Sequence, residues 1–253
     1  MAGMKASTSS SSKPETGLFS VKDLDAQPTE VVIAVVGALG VDHSKVRSII
    51  ADRLQAYSYS ATHIRISKDV ICEIASIDDD SLSKYERATT LIDKGNEIRK
   101  STSNEILATA TAAKISERRE EDSSEPKRLA FVVSSLKHPE EVAELRRIYG
   151  RGFFLFAVHR NKGKRVEHLM QNGGMTLAQA ETLIKRDEDE AISHGQHMRD
   201  TFHLADFFIH DEGIEDKLKY SIERCLDLVF GKPSITPTFN EFAMYMAFAS
   251  SLR

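Results

Sequence analysis

The chain has 253 residues, 41% of them hydrophobic and 28% charged, with a formal net charge of −4. That length allows one large α/β domain or two small ones, and the composition is that of an ordinary water-soluble protein. The slight acidity gives no general pull toward nucleic acids or membranes and leaves only a local basic patch open, and no apolar run approaches the roughly 20 residues of a membrane span.

Residues 1–27 read as a tail and connector. MAGMKASTSSSSKPET is rich in Ser and Thr and has no apolar signal core, so it predicts disorder and a cytoplasmic location. Cys72 and Cys225 lie far apart and read as two buried thiols rather than a disulfide. VVIAVV (31–36) is then a continuous apolar run, the mark of a strand buried on both faces. Gly37 breaks it, and a helix is expected over 44–56. A strand, a glycine-bearing loop and a helix in that order bring backbone N–H groups and a helix N-terminus together, which is what a phosphate needs. The phosphate-loop pattern is G-x-x-x-x-G-K-[ST], and from Gly37 the chain gives Gly-Ala-Leu-Gly-Val-Asp-His-Ser. Gly37 and Ser44 fit, but Asp42 replaces the second glycine and His43 the lysine. Lys45 comes one residue late, and one helical residue turns a side chain by about 100°. A carboxylate about 4 Å from a phosphate charge costs roughly 4 kcal/mol at an effective dielectric of about 20. Asp42 or Ser44 therefore reads as a helix N-cap, and hydrolysis of a triphosphate at this loop is not expected. Gly37, Gly40, His43, Ser44 and Lys45 remain candidate phosphate contacts.

THIRIS (62–67) predicts a second strand, with Arg65 and Ser67 at its end, where ligands enter doubly wound sheets. Long helical patterns follow to about residue 119, interrupted around Gly95 and again at 101–103, and a polar loop spans 120–127. RLAFVVSS (128–135) is an apolar strand ending at Ser134, with no acid there to hold a magnesium ion. Ser134 reads either as a phosphate or ribose contact or as a strand-end cap. Pro139, Glu140 and Glu141 open the next helix and Gly150 stops it. GFFLFAVH (152–159) is a fourth strand. Arg160, Lys164 and Arg165 follow it, and read either as a basic lid over phosphates or as a solvated turn. Two helices, a fifth strand at 205–210, one long helix and the start of another complete the chain. Five strands separated by helices predict a three-layer, doubly wound, mostly parallel α/β sheet of the P-loop nucleotide-kinase type.

No metal site is expected. His138-Pro139-Glu140 and His210-Asp211-Glu212 match the H-x-E of zinc deaminases, but no P-C-x-x-C follows either. His194, His197 and His203 lie close together without a convincing acidic ligand. Gln196, Arg199, Asp200, Thr201 and His203 read equally as base contacts or as a buried polar network.

Several segments occur together in order: SSLKHPEEVAELRRIYG, FFLFAV, AETLIKRDEDE, GQHMRDTFHLADFF and FGKPSITPTFNEFAMYMAFASSLR. Together they resemble the N-terminal P-loop part of bacterial two-domain deoxycytidine nucleotide deaminases of anti-phage defence, over roughly residues 28–253. The resemblance implies a kinase-like domain over 28–233 and, over 234–253, the start of a linker and deaminase-type helix. In that family a zinc deaminase domain follows and converts dCTP and dCMP to deoxyuridine nucleotides. Here the sequence stops at Arg253, before any zinc ligand, and Ser134 stands where the family's strand ends in Asp. The resemblance therefore implies a regulatory role without a deaminase site, the deaminase domain being its partner and any zinc being held there.

No residue is assigned as catalytic. The first expected function is a regulatory module that senses a nucleotide or holds an inhibitory RNA. The second is a working nucleotide or nucleoside kinase. The third is a structural oligomerisation domain, because the FAMYMAFA helix is apolar nearly all round and needs something to pack on.

Overall fold

A computed structural model describes residues 30–78, 81–121, 128–188, 195 and 197–252. The tail and connector at 1–27, positions 122–127 of the polar loop, His194 and Gln196 lie outside the described residues.

The apolar run forms β1 (Glu30–Gly37), the central strand of a five-stranded sheet. On one side lie β3 (Arg128–Ser134) and then β2 (Tyr59–Arg65); on the other lie β4 (Phe153–Arg160) and then β5 (Phe207–Asp211). Every pairing is parallel. Because side chains alternate along a strand, β1 serves two cores. Val31, Ile33 and Val35 pack on α1 (His43–Ala56) and α9 (Glu215–Val229) through residues such as Ile50, Leu54, Leu218 and Ile222. Val32, Ala34 and Val36 pack on α4 (Ile106–Glu121) and α5 (Pro139–Tyr149) through Leu107, Ile115, Val142 and Leu145. Burial on both faces is why this strand reads as an unbroken apolar run.

A third, smaller core forms at the strands' C-terminal edge. It joins α3 (Lys84–Ser101), α6 (Lys162–Gln171) and α7 (Leu177–Glu188) through Ile92, Leu169, Met175, Leu183 and Ile184. Strand order changes direction around β1, the place where open α/β sheets leave a crevice. This third core roofs that crevice.

Two boundaries differ from expectation. The second strand is displaced toward the N-terminus, starting at Tyr59 and ending at Arg65. The Asp69 carboxylate accepts from Arg65 N–H at 2.7 Å, and the chain turns into a π-helical segment, Ile66–Ile71, followed by α2 (Cys72–Ala75). Ser67 thus leaves the sheet. Nor is there a break at Gly95, since α3 runs through it. That glycine answers a close approach, because a Cβ there would sit 3.2 Å from Ile71 Cδ1.

The first turn of α5 follows the sequence expectation, with Pro139 at its start and Gly150 (φ 52°) at its end. Glu141, however, is fully buried. It accepts from Arg99 Nε at 2.9 Å and Arg99 Nη2 at 2.7 Å, and its second oxygen accepts from Lys137 N–H at 2.9 Å and His138 N–H at 3.2 Å. α8 (Met198–His203) precedes β5, with Met198 in the core and Thr201 buried. α10 (Phe239–Ser251) is closed by a Thr238–Glu241 capping box and tied to α9 by Arg224, 2.6 Å from Glu241. Its Phe239, Phe242, Met244, Tyr245, Met246 and Phe248 are all exposed. Among the described residues no helix is long and apolar enough to cross a membrane.

The Arg99–Glu141 pair yields a stability prediction. Arg99→Met alone leaves a buried carboxylate uncompensated and costs about 3–5 kcal/mol, whereas Arg99→Met with Glu141→Leu recovers most of that loss. Urea denaturation of the two variants reads the difference.

Candidate functional site

The loop after β1 is held shut by its own protein. Asp187, on α7 and 1% exposed, accepts from Leu39 N–H at 2.6 Å through one carboxylate oxygen. Its other oxygen accepts from Lys137 Nζ, also at 2.6 Å. Lys137 Nζ reaches Gly37 O as well, at 3.2 Å. Other N–H groups of the loop and first helical turn also have internal acceptors. Val41 N–H donates to Ala38 O at 3.1 Å, His43 N–H to Val41 O at 2.9 Å and Lys45 N–H to Asp42 Oδ1 at 3.0 Å. Asp42, not Ser44, is the N-cap of α1. The anion that a phosphate loop attracts is here a carboxylate of the chain itself.

His43 cannot stand in for the missing lysine. Its Nε2 donates to Gly37 O at 3.3 Å, and its Nδ1 is shut from solvent without a hydrogen-bond partner among the described residues. Burial, reinforced by the charges of Lys137 and Arg47, pulls its pKa down to about 3, so the ring is neutral at physiological pH. Lys45 points elsewhere, pairing with Glu215 at the start of α9 at 2.8 Å. Ser44 is exposed on the first turn. Gly40 has φ 93°, and a Cβ on it would fall 2.6 Å from Arg165 Cβ, so α6 lies directly against the loop backbone.

The remaining predicted residues fall into separate places. Ser134 is fully buried at the end of β3 and accepts from Arg47 Nη1 at 3.2 Å. Arg65 is its neighbour across the β2–β3 pair. Arg65 also lies close enough to Arg47 to lower the Arg47 pKa, second to burial. Ser67 lines a cavity of about 350 Å³ beside the loop, under the third core. Arg160 and Arg165 line a second cleft of about 260 Å³ on the other side of the loop, and Lys164 lines a shallow surface depression. Arg165 Nη1 also reaches Leu39 O at 3.4 Å.

The 350 Å³ cavity has two kinds of wall. Ala88, Leu91, Ile92, Leu169 and Met175 form an apolar side. Lys84, Arg87, Arg99, Lys137, His168 and Ser135 bring charge and hydrogen-bonding groups, and the Asp187 side chain and the loop residues Gly40 and His43 share the wall. Ser135 has φ 76°, a conformation L-residues rarely adopt, directly at the cavity. An apolar body with a few converging polar groups is the usual build of a small-molecule site, and the volume lies in the lower part of the usual range of about 300–1,000 Å³.

Asp187, Lys137, Arg99, Ser135 and Arg47 were not singled out from the sequence. Lys137 lies just past the end of a strand, a position that carried a signal. Asp187 carried none, being one acid in the run DEDE and 148 positions from Leu39.

A magnesium–triphosphate does not suit this donor set. The hydroxyl of Ser134 accepts from Arg47, Asp42 caps a helix, and Asp187 is committed to Lys137 and Leu39. Zinc fares no better, since among the described residues no three His, Cys, Asp or Glu side chains converge. His138 caps α5, accepting from Glu140 N–H at 3.3 Å, and its ring meets His197 edge-on at 5.2 Å.

No protein-family profile matches the chain, and no curated protein matches it. Solved structures do match over most of their length. A Thermus thermophilus protein aligns over 81% of this chain and 99% of its own, at 12% identity and TM-score 0.46. Shikimate kinase from Bacteroides thetaiotaomicron aligns over 79% and 98%, at 10% identity and TM-score 0.45. An uncharacterized Eubacterium ventriosum protein aligns over 78% and 98%, at 12% identity and TM-score 0.44. These are loose superpositions on α/β folds, kinases among them, and the chemistry of the site rests on its own atoms.

The His43 ring gives a pH prediction. The unfolded histidine binds a proton near pH 6.5, while the folded one resists until about 3. Stability from this group is complete above pH 6.5 and is lost as pH falls toward 3. Replacing it by His43→Gln flattens the acid limb of stability across that window, as read from urea midpoints at a series of pH values.

Proposed function

We propose that this chain is a nucleotide-sensing module on a kinase-type α/β fold that does not carry out phosphoryl transfer. The ligand is a small nucleotide held in the 350 Å³ cavity, its base and sugar against the Leu91, Ile92 and Met175 wall and its phosphate toward Arg87 and Lys84. The observation that carries this reading is the Asp187 carboxylate, lodged between Leu39 N–H and Lys137 Nζ. A triphosphate on the loop would have to displace it or lie beside it, and two negative charges about 4 Å apart repel by roughly 4 kcal/mol even at an effective dielectric of about 20. The neutral His43 and the outward-turned Lys45 return no positive charge to offset that cost.

The finer reading, control of a deoxycytidine nucleotide deaminase domain in anti-phage defence, rests on the sequence segments that resemble that family. Within it, a nucleotide rather than an RNA is the better regulator, because the cavity is roofed by packed helices and suits one compact ligand. An RNA would show a steep loss of affinity with salt, and a single nucleotide a shallow one.

A working kinase keeps one observation in its favour: Lys137 Nζ lies 3.2 Å from Gly37 O, so an outward swing of α7 would release a lysine beside the loop. The two readings separate by experiment. The purified chain with magnesium and ATP shows no turnover, with or without deoxynucleosides; steady ATP consumption would sink the sensing module and install the kinase. Calorimetry with a nucleoside monophosphate shows saturable binding that Ala88→Trp, which fills the cavity, abolishes. Asp187→Ala raises triphosphate affinity at least about tenfold, a small part of the repulsion removed. His43→Lys with Asp42→Gly brings no such gain while Asp187 is in place.

A further inference from the structure

The helix α10 stands out from the body that carries it. Every residue from Phe239 to Leu252 is exposed. Phe239, Phe242, Met244, Tyr245, Met246 and Phe248 are its large apolar side chains, and even Met246, the least open of them, is 49% exposed. No other part of the described chain therefore covers any side of this helix. What holds it is its root. Arg224 Nη2 on α9 donates to Glu241 Oε2 at 2.6 Å and to Thr236 O at 2.9 Å, and the Thr238–Glu241 capping box fixes the first turn. A helix that is apolar all round belongs in a packed interior, because most helical stability comes from burying such a face.

Area and charge say what kind of surface fits it. At about 200 Å² for a large side chain, those exposures leave roughly 800 Å² of apolar surface open. The largest apolar patch on a typical monomer is about 300–600 Å². One side of a standard protein interface is about 800 Å². The surface continues onto α9, where the exposed Tyr220 and Leu228 lie one turn before and one turn after Arg224 on the same face. Within 239–251 Glu241 is the sole charged residue, and Arg224 answers it. The helix thus carries no positive charge to draw a nucleic acid or an acidic membrane. At 13 residues it is also about 20 Å long, short of the roughly 30 Å of a bilayer core. Nothing on it repels an identical surface. Two such helices packed antiparallel set each N-terminus beside the other's C-terminus, where the helix dipoles attract.

We propose that α10 is a homodimerisation helix whose occupant is a second copy of this chain. The two α10 helices pack antiparallel about a two-fold axis, and each also touches the Tyr220–Leu228 stripe on α9 of the other copy. The axis crosses the helices near their midpoint at Tyr245. Residues there meet their own counterparts, and residues at the helix ends do not. The interface does not depend on the nucleotide reading of the 350 Å³ cavity, which α10 does not line.

Light scattering of the full chain after gel filtration, without nucleotide, tests the assignment. The expected result is twice the chain mass at micromolar concentration. Phe248→Glu places a carboxylate on each side of the symmetric interface and weakens dimerisation at least about a hundredfold. Because Phe248 is exposed, this variant keeps the fold, which circular dichroism checks. Cysteine cross-linking reads the orientation. Met244→Cys, Tyr245→Cys and Met246→Cys sample three sides of the helix near the axis, and at least one of them forms a disulfide-linked dimer, whereas Phe239→Cys does not. Cys72 and Cys225 are buried and give no background in the parent chain. Ala88→Trp dimerises like the parent, so failure of this interface and failure of the nucleotide cavity are read separately. A monomer at every concentration, whether α10 then docks on a lipid vesicle or on nothing, would overturn the proposal. So would a dimer indifferent to Phe248→Glu, or one that cross-links through Phe239→Cys as readily as near the axis.

Discussion

The interaction on which the rest of the molecule turns is the Asp187 carboxylate held between Leu39 N–H and Lys137 Nζ. A helix N-terminus and its preceding loop create a fixed positive field that must be answered. Water, a bound anion or a side chain can answer it, and here a side chain does. That choice fixes the neighbours. Lys137, once paired with Asp187, also reaches Gly37 O, and its charge helps to keep His43 neutral. The backbone N–H groups of Lys137 and His138 are taken by Glu141, which Arg99 holds in turn. Loop, strand end and three helices are therefore joined through one continuous polar network.

Such a network is costly to leave half-made, because each member is desolvated and depends on its partner. It thereby sets how α7 sits on the loop and how α3 faces α5. The apolar contacts among Ile92, Leu169, Leu183 and Ile184 then complete the roof over the strand ends. The cavity that results is a consequence of this roof. Its floor is the sheet's C-terminal edge and its cover is helices held by apolar packing and the Asp187 contact.

The same constraint bears on a loop of nearly phosphate-binding shape, whose Leu39 N–H is answered by Asp187. Packing alone calls for both glycines: Gly37 faces the His43 ring and Val158 O, and Gly40 lies against the backbone of α6. Shape is kept by the fold, and the charge that meets the loop is the carboxylate of Asp187.

Most elements and the altered loop are legible in the residues alone. The fully apolar 31–36 run demanded a buried strand, the alternation of strands and helices demanded a parallel sheet, and Asp42 and His43 announced a loop without its usual charges. Local chemistry carries those signals, because periodicity, capping and spacing act over a few residues. The tertiary structure alone decided what fills the loop. Asp187 is one of several acids in DEDE until α7 folds over a backbone 148 positions away. The close approach of α3 to Ile71 at Gly95 and the buried Arg99–Glu141 pair share that dependence. Each is a response to an atom distant in the chain, so nothing near it in the sequence records it.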